Sequence, residues 1–114
     1  MAPPVRGEVW LVDLSPTRGH EQSGRRPALV VSADPFNCSR AGLVFVVPFT
    51  TRARGIPTHV EVRPPLGGLR DTSWARCEDL RSVAVERLSG GPLGSVPDGI
   101  LEAVADRIRL LLAL

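Results

Sequence analysis

The stretch Glu8-Val-Trp-Leu-Val-Asp-Leu-Ser-Pro-Thr-Arg-Gly-His-Glu-Gln-Ser-Gly-Arg-Arg-Pro-Ala-Leu-Val-Val-Ser32 decides the fold. Its first seven residues, Glu8 to Leu14, are rich in β-formers and read as a short strand buried on more than one face. Its last six, Pro27 to Ser32, read as a second strand, with proline at the first position, where a missing N–H is tolerated. Between them Ser15 to Arg25 form a long polar loop punctuated by Pro16, Gly19 and Gly24. A strand, a functional-looking loop and a returning strand point to a β architecture from the start.

Working outward, Asp34-Pro-Phe-Asn-Cys-Ser-Arg40 reads as a turn and Leu43-Val-Phe-Val-Val-Pro-Phe49 as a third strand. Pro48 argues for an edge or a bulge near that strand's end. Thr50 to Pro57 form a second polar, arginine-bearing loop, and Thr58 to Val62 alternate as a fourth strand. Arg63 to Arg70 make a Pro/Gly-rich connection. Ser73 to Cys77 and Asp79 to Val83 supply one or two more short strand pieces, Val85 to Leu88 a helical turn, and Gly90 to Gly94 a break. Leu101, Val104, Ile108 and Leu111 then recur at helical spacing, with Ser95 and Asp98 at capping-box spacing and Pro97 in the first turn. The residues together predict a mainly β (α+β) chain. Its expected form is a small, strongly curved barrel of five to six strands with a C-terminal α-helix packed on it, one domain over 1–114.

Composition narrows the chemistry. All 14 cationic residues are arginine, and both lysine and tyrosine are absent, which excludes a lysine Schiff base, a P-loop lysine and tyrosine acid–base catalysis. Arginine stays charged at any working pH and favours bidentate contact with carboxylate or phosphate. Within 18–54, six arginines meet two acids for a local +4, while the remaining eight arginines meet ten acids for −2. A basic stretch on a nearly neutral protein suits an anionic partner. Solvated loop arginines are the plainer explanation, and a GC-rich coding sequence would supply them. Cys38 and Cys77 stand far apart, and with two scattered histidines no metal-ligand spacing appears, so no metal and no cofactor are expected. No signal-peptide pattern and no apolar run of about 18 residues is present, which predicts a cytoplasmic protein with reduced thiols and no membrane contact.

Chemistry is expected on the two polar loops, since binding groups concentrate on loops that a rigid sheet positions. Glu21 lies five residues before Arg26, and Pro27 biases Arg26 towards an extended backbone, giving its guanidinium a defined direction. Thr50 and Thr51 place two hydroxyls where the third strand ends. A carboxylate, an oriented guanidinium and a hydroxyl suit a phosphodiester and the charge that gathers on its oxygens. A simple Glu21–Arg26 loop salt bridge fits the same residues.

The run from Arg6 to Ser32 also resembles the opening signature of the MazF/PemK toxin endoribonucleases, with Gly19-His-Glu-Gln-Ser-Gly-Arg-Arg-Pro27 as its most specific part. The similarity continues through Val46-Val-Pro-Phe-Thr-Thr51, Pro57-Thr-His-Val-Glu-Val62, Cys77-Glu-Asp-Leu-Arg-Ser-Val83 and Glu86-Arg-Leu88, covering essentially the whole chain. The resemblance implies an SH3-like barrel with a C-terminal helix, acting as a homodimer. It implies the toxin half of a type II toxin–antitoxin pair. Such a toxin is a ribosome-independent mRNA interferase that cleaves single-stranded RNA at short sequences without a metal. The 2′-OH attacks, leaving a 2′,3′-cyclic phosphate or 3′-phosphate and a 5′-hydroxyl. It further implies a cognate MazE-like antitoxin whose acidic tail blocks the RNA groove. The family's catalytic arginine falls on Arg26, its threonine on Thr50 and its motif glutamate on Glu21.

Within that resemblance Arg26 reads as a transition-state clamp, because a guanidinium is a poor base near neutrality, and Glu21 is the better candidate base. Arg18, His20, Arg25, Thr51, Arg52, Arg54 and His59 are expected RNA contacts, each arginine a modest electrostatic contributor. His59 admits a structural role as readily, and His20 stands where the family more often has serine. Trp10 reads as core or dimer interface. Trp74 is ambiguous between such a role and a base-stacking platform, although aromatics are otherwise too few for a stacking surface, and Asp79 and Arg81 are expected to organise the barrel bottom or an interface. Two rivals share the fold: a CcdB-like gyrase poison, which lacks the Glu-Gln-x-Gly-x-Arg-Pro and Val-Pro-x-Thr set, and a catalytically silent RNA-binding module.

Overall fold

The computed structural model describes residues 2–16, 19 and 24–114. Its strands are β1 Glu8–Asp13, β2 Arg25–Val30, β3 Leu43–Thr50, β4 His59–Val62, β5 Ser73–Arg76, β6 Arg81–Ala84 and β7 Leu88–Ser95. Two helices, α1 Asp34–Asn37 and α2 Asp98–Leu112, complete the described elements, with single 3-10 turns at Leu66–Gly68, Cys77–Asp79 and Val85–Arg87. Every pairing is antiparallel. The order is β4-β5-β3-β2-β1-β7, with β6 also on β3. The two terminal strands of that order do not pair with each other, so the expected barrel is an open, curled sheet among the described residues.

β3 is the hub. Val46–Pro48 pair with β2 along one edge. On the other edge Leu43–Val46 pair with β6 and Phe49–Thr50 with β5. Pro48 therefore sits where the partner changes, in a short local edge, which is where a residue without an N–H is tolerated.

The sheet buries both faces. Val9, Leu29, Val47, Phe49, Val60, Val62 and Ala75 form one core with Leu101 and Val104 of α2. Trp10, Val12, Leu14, Ala28, Val30, Val44, Val46, Val83 and Leu88 form a second on the opposite face. Strand alternation sends successive side chains of β1, β2 and β3 to the two cores in turn. That is why those strands read as continuous apolar runs rather than as alternating ones. Trp10, only 2 % exposed, belongs to the second core, its Nε1–H donating to Glu8 Oε1 at 3.0 Å.

Three local expectations are corrected. Gly90 to Gly94 do not break the chain but lie within β7, whose register against β1 shifts twice, between Val9 and Trp10 and between Trp10 and Leu11. Gly90 and Gly91, both at φ +77°, fall in the second shift, where a bulge needs residues that accept positive φ. Gly94 serves close packing instead: a Cβ there would meet Gly68 N at 2.6 Å, so the 66–68 turn lies directly on β7. The second correction is at α2, which starts at Asp98 with Pro97 as its cap and no side-chain capping bond, because Ser95 is spent in β7. The third is that part of the expected 34–40 turn is a single turn of helix, with Pro35 in its first positions. At the other end of α2, Leu110, Leu111, Leu112 and Leu114 are exposed, so of the apolar series only Leu101 and Val104 are fully in the core.

Candidate active site

Strand register brings the two loops' residues together. β2 and β3 pair Ala28 with Pro48, Leu29 with Val47 and Val30 with Val46. Those pairs end at Ala28–Pro48; counting on two residues towards the loops brings Arg26 level with Thr50. β1 pairs Val12 with Arg26, β5 pairs Trp74 with Thr50, and β4 pairs Glu61 with Trp74. Two paired stretches, Val12–Arg26 and Thr50–Trp74–Glu61, therefore meet end to end in one row where that count joins them.

Alternation fixes the face. Leu29, Phe49, Ala75, Val60 and Val62 point into the helix-side core, so Arg26, Thr50, Trp74 and Glu61 share the opposite face. The row begins at Val12 in the second core and leaves it at Arg26, which is partly exposed. Thr50 is 5 % exposed. Its Oγ1 accepts a hydrogen bond from the Arg52 N–H at 3.2 Å, a local turn that ends the strand and leaves the hydroxyl proton for another acceptor. Arg25, Thr51, Arg52 and Arg54 are exposed around this end of the sheet. Arg18, His20 and Glu21 lie outside the described residues.

The stem of the 13–25 loop is held from both sides. Leu14 N–H donates to Gly24 O at 3.0 Å and Gly24 N–H to Ser15 Oγ at 3.1 Å, closing the loop at its base. Asp13 Oδ1 accepts from Ser15 N–H at 3.0 Å. Arg81 Nη1 donates to Leu14 O at 3.1 Å, and Arg87 Nη1 to Asp13 O and Ser15 O at 3.2 and 2.5 Å. Three successive carbonyls are thus bound by two guanidiniums some seventy residues distant in sequence. Sequence reasoning missed Arg87 and placed Arg81 only generally, because nothing local marks an arginine whose acceptors are another loop's backbone.

His59 is turned inward. Its imidazole is 2 % exposed, and Nε2–H donates to Glu78 Oε2 at 2.8 Å. Thr58 Oγ1–H donates to the other carboxylate oxygen at 3.0 Å, and Arg76 Nε lies 3.5 Å from Oε2. Burial works to raise the Glu78 carboxyl. The hydrogen bonds from His59, its own backbone N–H and Thr58, joined by the imidazole's charge, outweigh that and hold it below the usual carboxylate range. Next to it the Cys77 thiol is pushed up to about 11 by desolvation, against the pull of Arg107. Among the described residues no group of three or more His, Cys, Asp or Glu is placed to hold a metal ion. No helix there is long and apolar enough to cross a membrane.

The chain is thus a mainly β protein, a curled antiparallel sheet with a terminal helix, with an arginine and a threonine on one face near one end of the sheet. The chain matches the family model described as the PemK-like, MazF-like toxin of type II toxin–antitoxin systems over residues 5–112, and it belongs to that family. It is 39% identical to the endoribonuclease MazF9 of Mycobacterium tuberculosis, with 96% of each chain covered. The crystal structure of MazF from Deinococcus radiodurans superposes with a TM-score of 0.88 at 31% identity, covering 100% of both chains. An endoribonuclease from a mycobacterial species, solved in complex with its cognate antitoxin, gives 0.77 at 26% identity, covering 100% of this chain and 97% of that one.

Proposed function

We propose that this toxin cuts single-stranded RNA at short sequences without a metal, and that Arg26 and Thr50 clamp the phosphate under attack. The observation that carries the reading is the shared row and face of those two residues. A guanidinium and a hydroxyl from neighbouring strands, on one face of the sheet, suit the two nonbridging oxygens of one phosphodiester. The ribose 2′-OH attacks phosphorus while the bond to the 5′-oxygen breaks. That leaves a 2′,3′-cyclic phosphate, or a 3′-phosphate once water opens it, and a 5′-oxygen that takes a proton from solvent to become the 5′-hydroxyl. As negative charge grows on the nonbridging oxygens, the Arg26 fork and the Thr50 hydroxyl donate to them more strongly than in the ground state. Thr50 is suited to this because its oxygen is already engaged by the Arg52 N–H and its proton is available.

Glu21 is the proposed base for the 2′-OH, and Arg18, His20, Arg25, Thr51, Arg52 and Arg54 the proposed contacts to neighbouring nucleotides. His59 contributes through Glu78 rather than by touching RNA, in keeping with its burial. The working unit is proposed to be a cytoplasmic homodimer inhibited by a MazE-like antitoxin. Support for that partner comes from the mycobacterial relative solved with its cognate antitoxin.

The test is to incubate the purified protein with mixed-sequence single-stranded RNA in excess EDTA and sequence the ends. Cyclic-phosphate ends at a recurring short motif are expected, and none from Arg26→Ala. Intact RNA, with gyrase trapped on DNA, would replace this reading by that of a gyrase poison.

A further inference from the structure

We propose that Trp74 is a stacking platform for a nucleotide base next to the clamped phosphate, and so contributes to RNA affinity in this chain. The inference rests on the nuclease reading above and adds a residue to it. Trp74 follows Thr50 in the cross-strand row, as a directly paired neighbour on β5, and occupies the face that Arg26 and Thr50 occupy. Its strand neighbours Ser73 and Ala75 are buried, whereas Trp74 itself is partly exposed. Its indole joins neither hydrophobic core. The ring pair recorded among the described residues is Phe36 with Phe45, on another part of the sheet, so no aromatic neighbour covers Trp74 there.

A tryptophan on a β-strand is normally retained for the area it buries. This one leaves part of a large apolar ring open, one strand away from a hydroxyl facing a phosphate site. Glu61, the next residue in the row, is exposed and paired with Arg63 at 2.7 Å. A phosphate held at Thr50 places an attached base within reach of a side chain about 4.8 Å further along the row. Stacking on an aromatic face tolerates any base, so Trp74 strengthens binding broadly while the loops select sequence.

The chain offers an unusually clean probe. It holds two tryptophans and no tyrosine, and the other tryptophan, Trp10, is 2 % exposed in the core. The test uses an RNA oligonucleotide carrying the mapped cleavage motif, with 2′-deoxyribose at the scissile position so that binding occurs without cutting. Intrinsic fluorescence of the wild-type protein should be quenched on titration. Trp74→Val, a non-aromatic residue suited to a strand, should remove the quenching and weaken binding roughly 5- to 150-fold. Trp74→Phe should recover most of the affinity.

Undiminished affinity of a folded Trp74→Val variant overturns the inference and leaves the nuclease reading standing. Should Trp74→Val fail to fold or to dimerise, unquenched wild-type fluorescence at saturating RNA overturns it as well. A wild-type protein that neither binds nor cuts RNA removes the nuclease reading itself.

Discussion

Two polar constellations lie on this sheet, and they are finished differently. Around His59, Glu78 accepts from the imidazole and from Thr58 with Arg76 close by, and the imidazole is sealed from solvent. Along the Arg26–Thr50–Trp74 row the groups stand at the margin of the second core, with a guanidinium and an indole partly open and a hydroxyl proton left for an acceptor. The difference teaches which polar residues hold the molecule and which are held by it. The Glu78–His59 pair contributes stability and rigidity even though His59 Nδ1 is buried without a hydrogen-bond partner among the described residues, whereas groups at the open end of the sheet stand where a ligand can reach them.

The largest expected effect tests the open end of that comparison. Arg26→Ala should lower cleavage of a motif-bearing RNA by about 10³-fold with little change in thermal midpoint, and Thr50→Val by about 10²-fold. Near-wild-type cutting by Arg26→Ala would erase the distinction between the two constellations. A smaller loss is expected from the loop stem. Arg87→Ala frees the carbonyls of Asp13 and Ser15 and should cost about 10-fold in kcat through misplaced loop groups, with Arg87→Lys recovering part of it. An unchanged kcat would show that the stem's own Leu14–Gly24 and Ser15–Gly24 bonds suffice.

The closed constellation should answer in stability instead. His59→Ala leaves the Glu78 carboxylate short of a partner and should cost about 2 kcal/mol, a fall of roughly 8 °C in the thermal midpoint, with cleavage near wild type at low temperature. Loss of cleavage at unchanged stability would instead move His59 into the catalytic set. Glu78 also predicts a pH dependence. Its folded-state pKa lies below its ordinary 4.5, so it adds stability above that pH which drains away as the pH falls through and below it. Glu78→Gln should flatten this acid limb in a denaturation series. The smallest effect is chemical. Exposed Cys38 should alkylate at neutral pH while buried Cys77, with its pKa near 11, stays protected, giving one adduct by mass spectrometry.

Much of the fold was legible because it depends on local pattern. The apolar runs of β1, β2 and β3 and the helical spacing of Leu101 and Val104 announce elements wherever they occur. β7 was illegible for a physical reason: Gly90, Gly91 and Gly94 are turn formers in isolation and become strand residues only against β1 and the 66–68 turn. The capping box failed similarly, since Ser95 was already claimed by a strand. At the site, Arg26 and Thr50 were named from the residues and the family resemblance. Trp74, by contrast, was ambiguous, the scarcity of aromatics spoke against a stacking surface, and no spacing in the sequence ties it to Thr50.

By itself, then, the sequence determined the class of this protein. Strand and helix patterning, the polar loops and the Glu-Gln-x-Gly-x-Arg-Pro run are properties of neighbouring residues. Only the tertiary structure decided which distant residues share a row, a face or a buried pair: Arg26 with Thr50 and Trp74, Arg87 with Asp13 and Ser15, His59 with Glu78. Those choices rest on antiparallel register and on which face each core consumes. A one-residue slip in a strand would turn every such side chain to the opposite side.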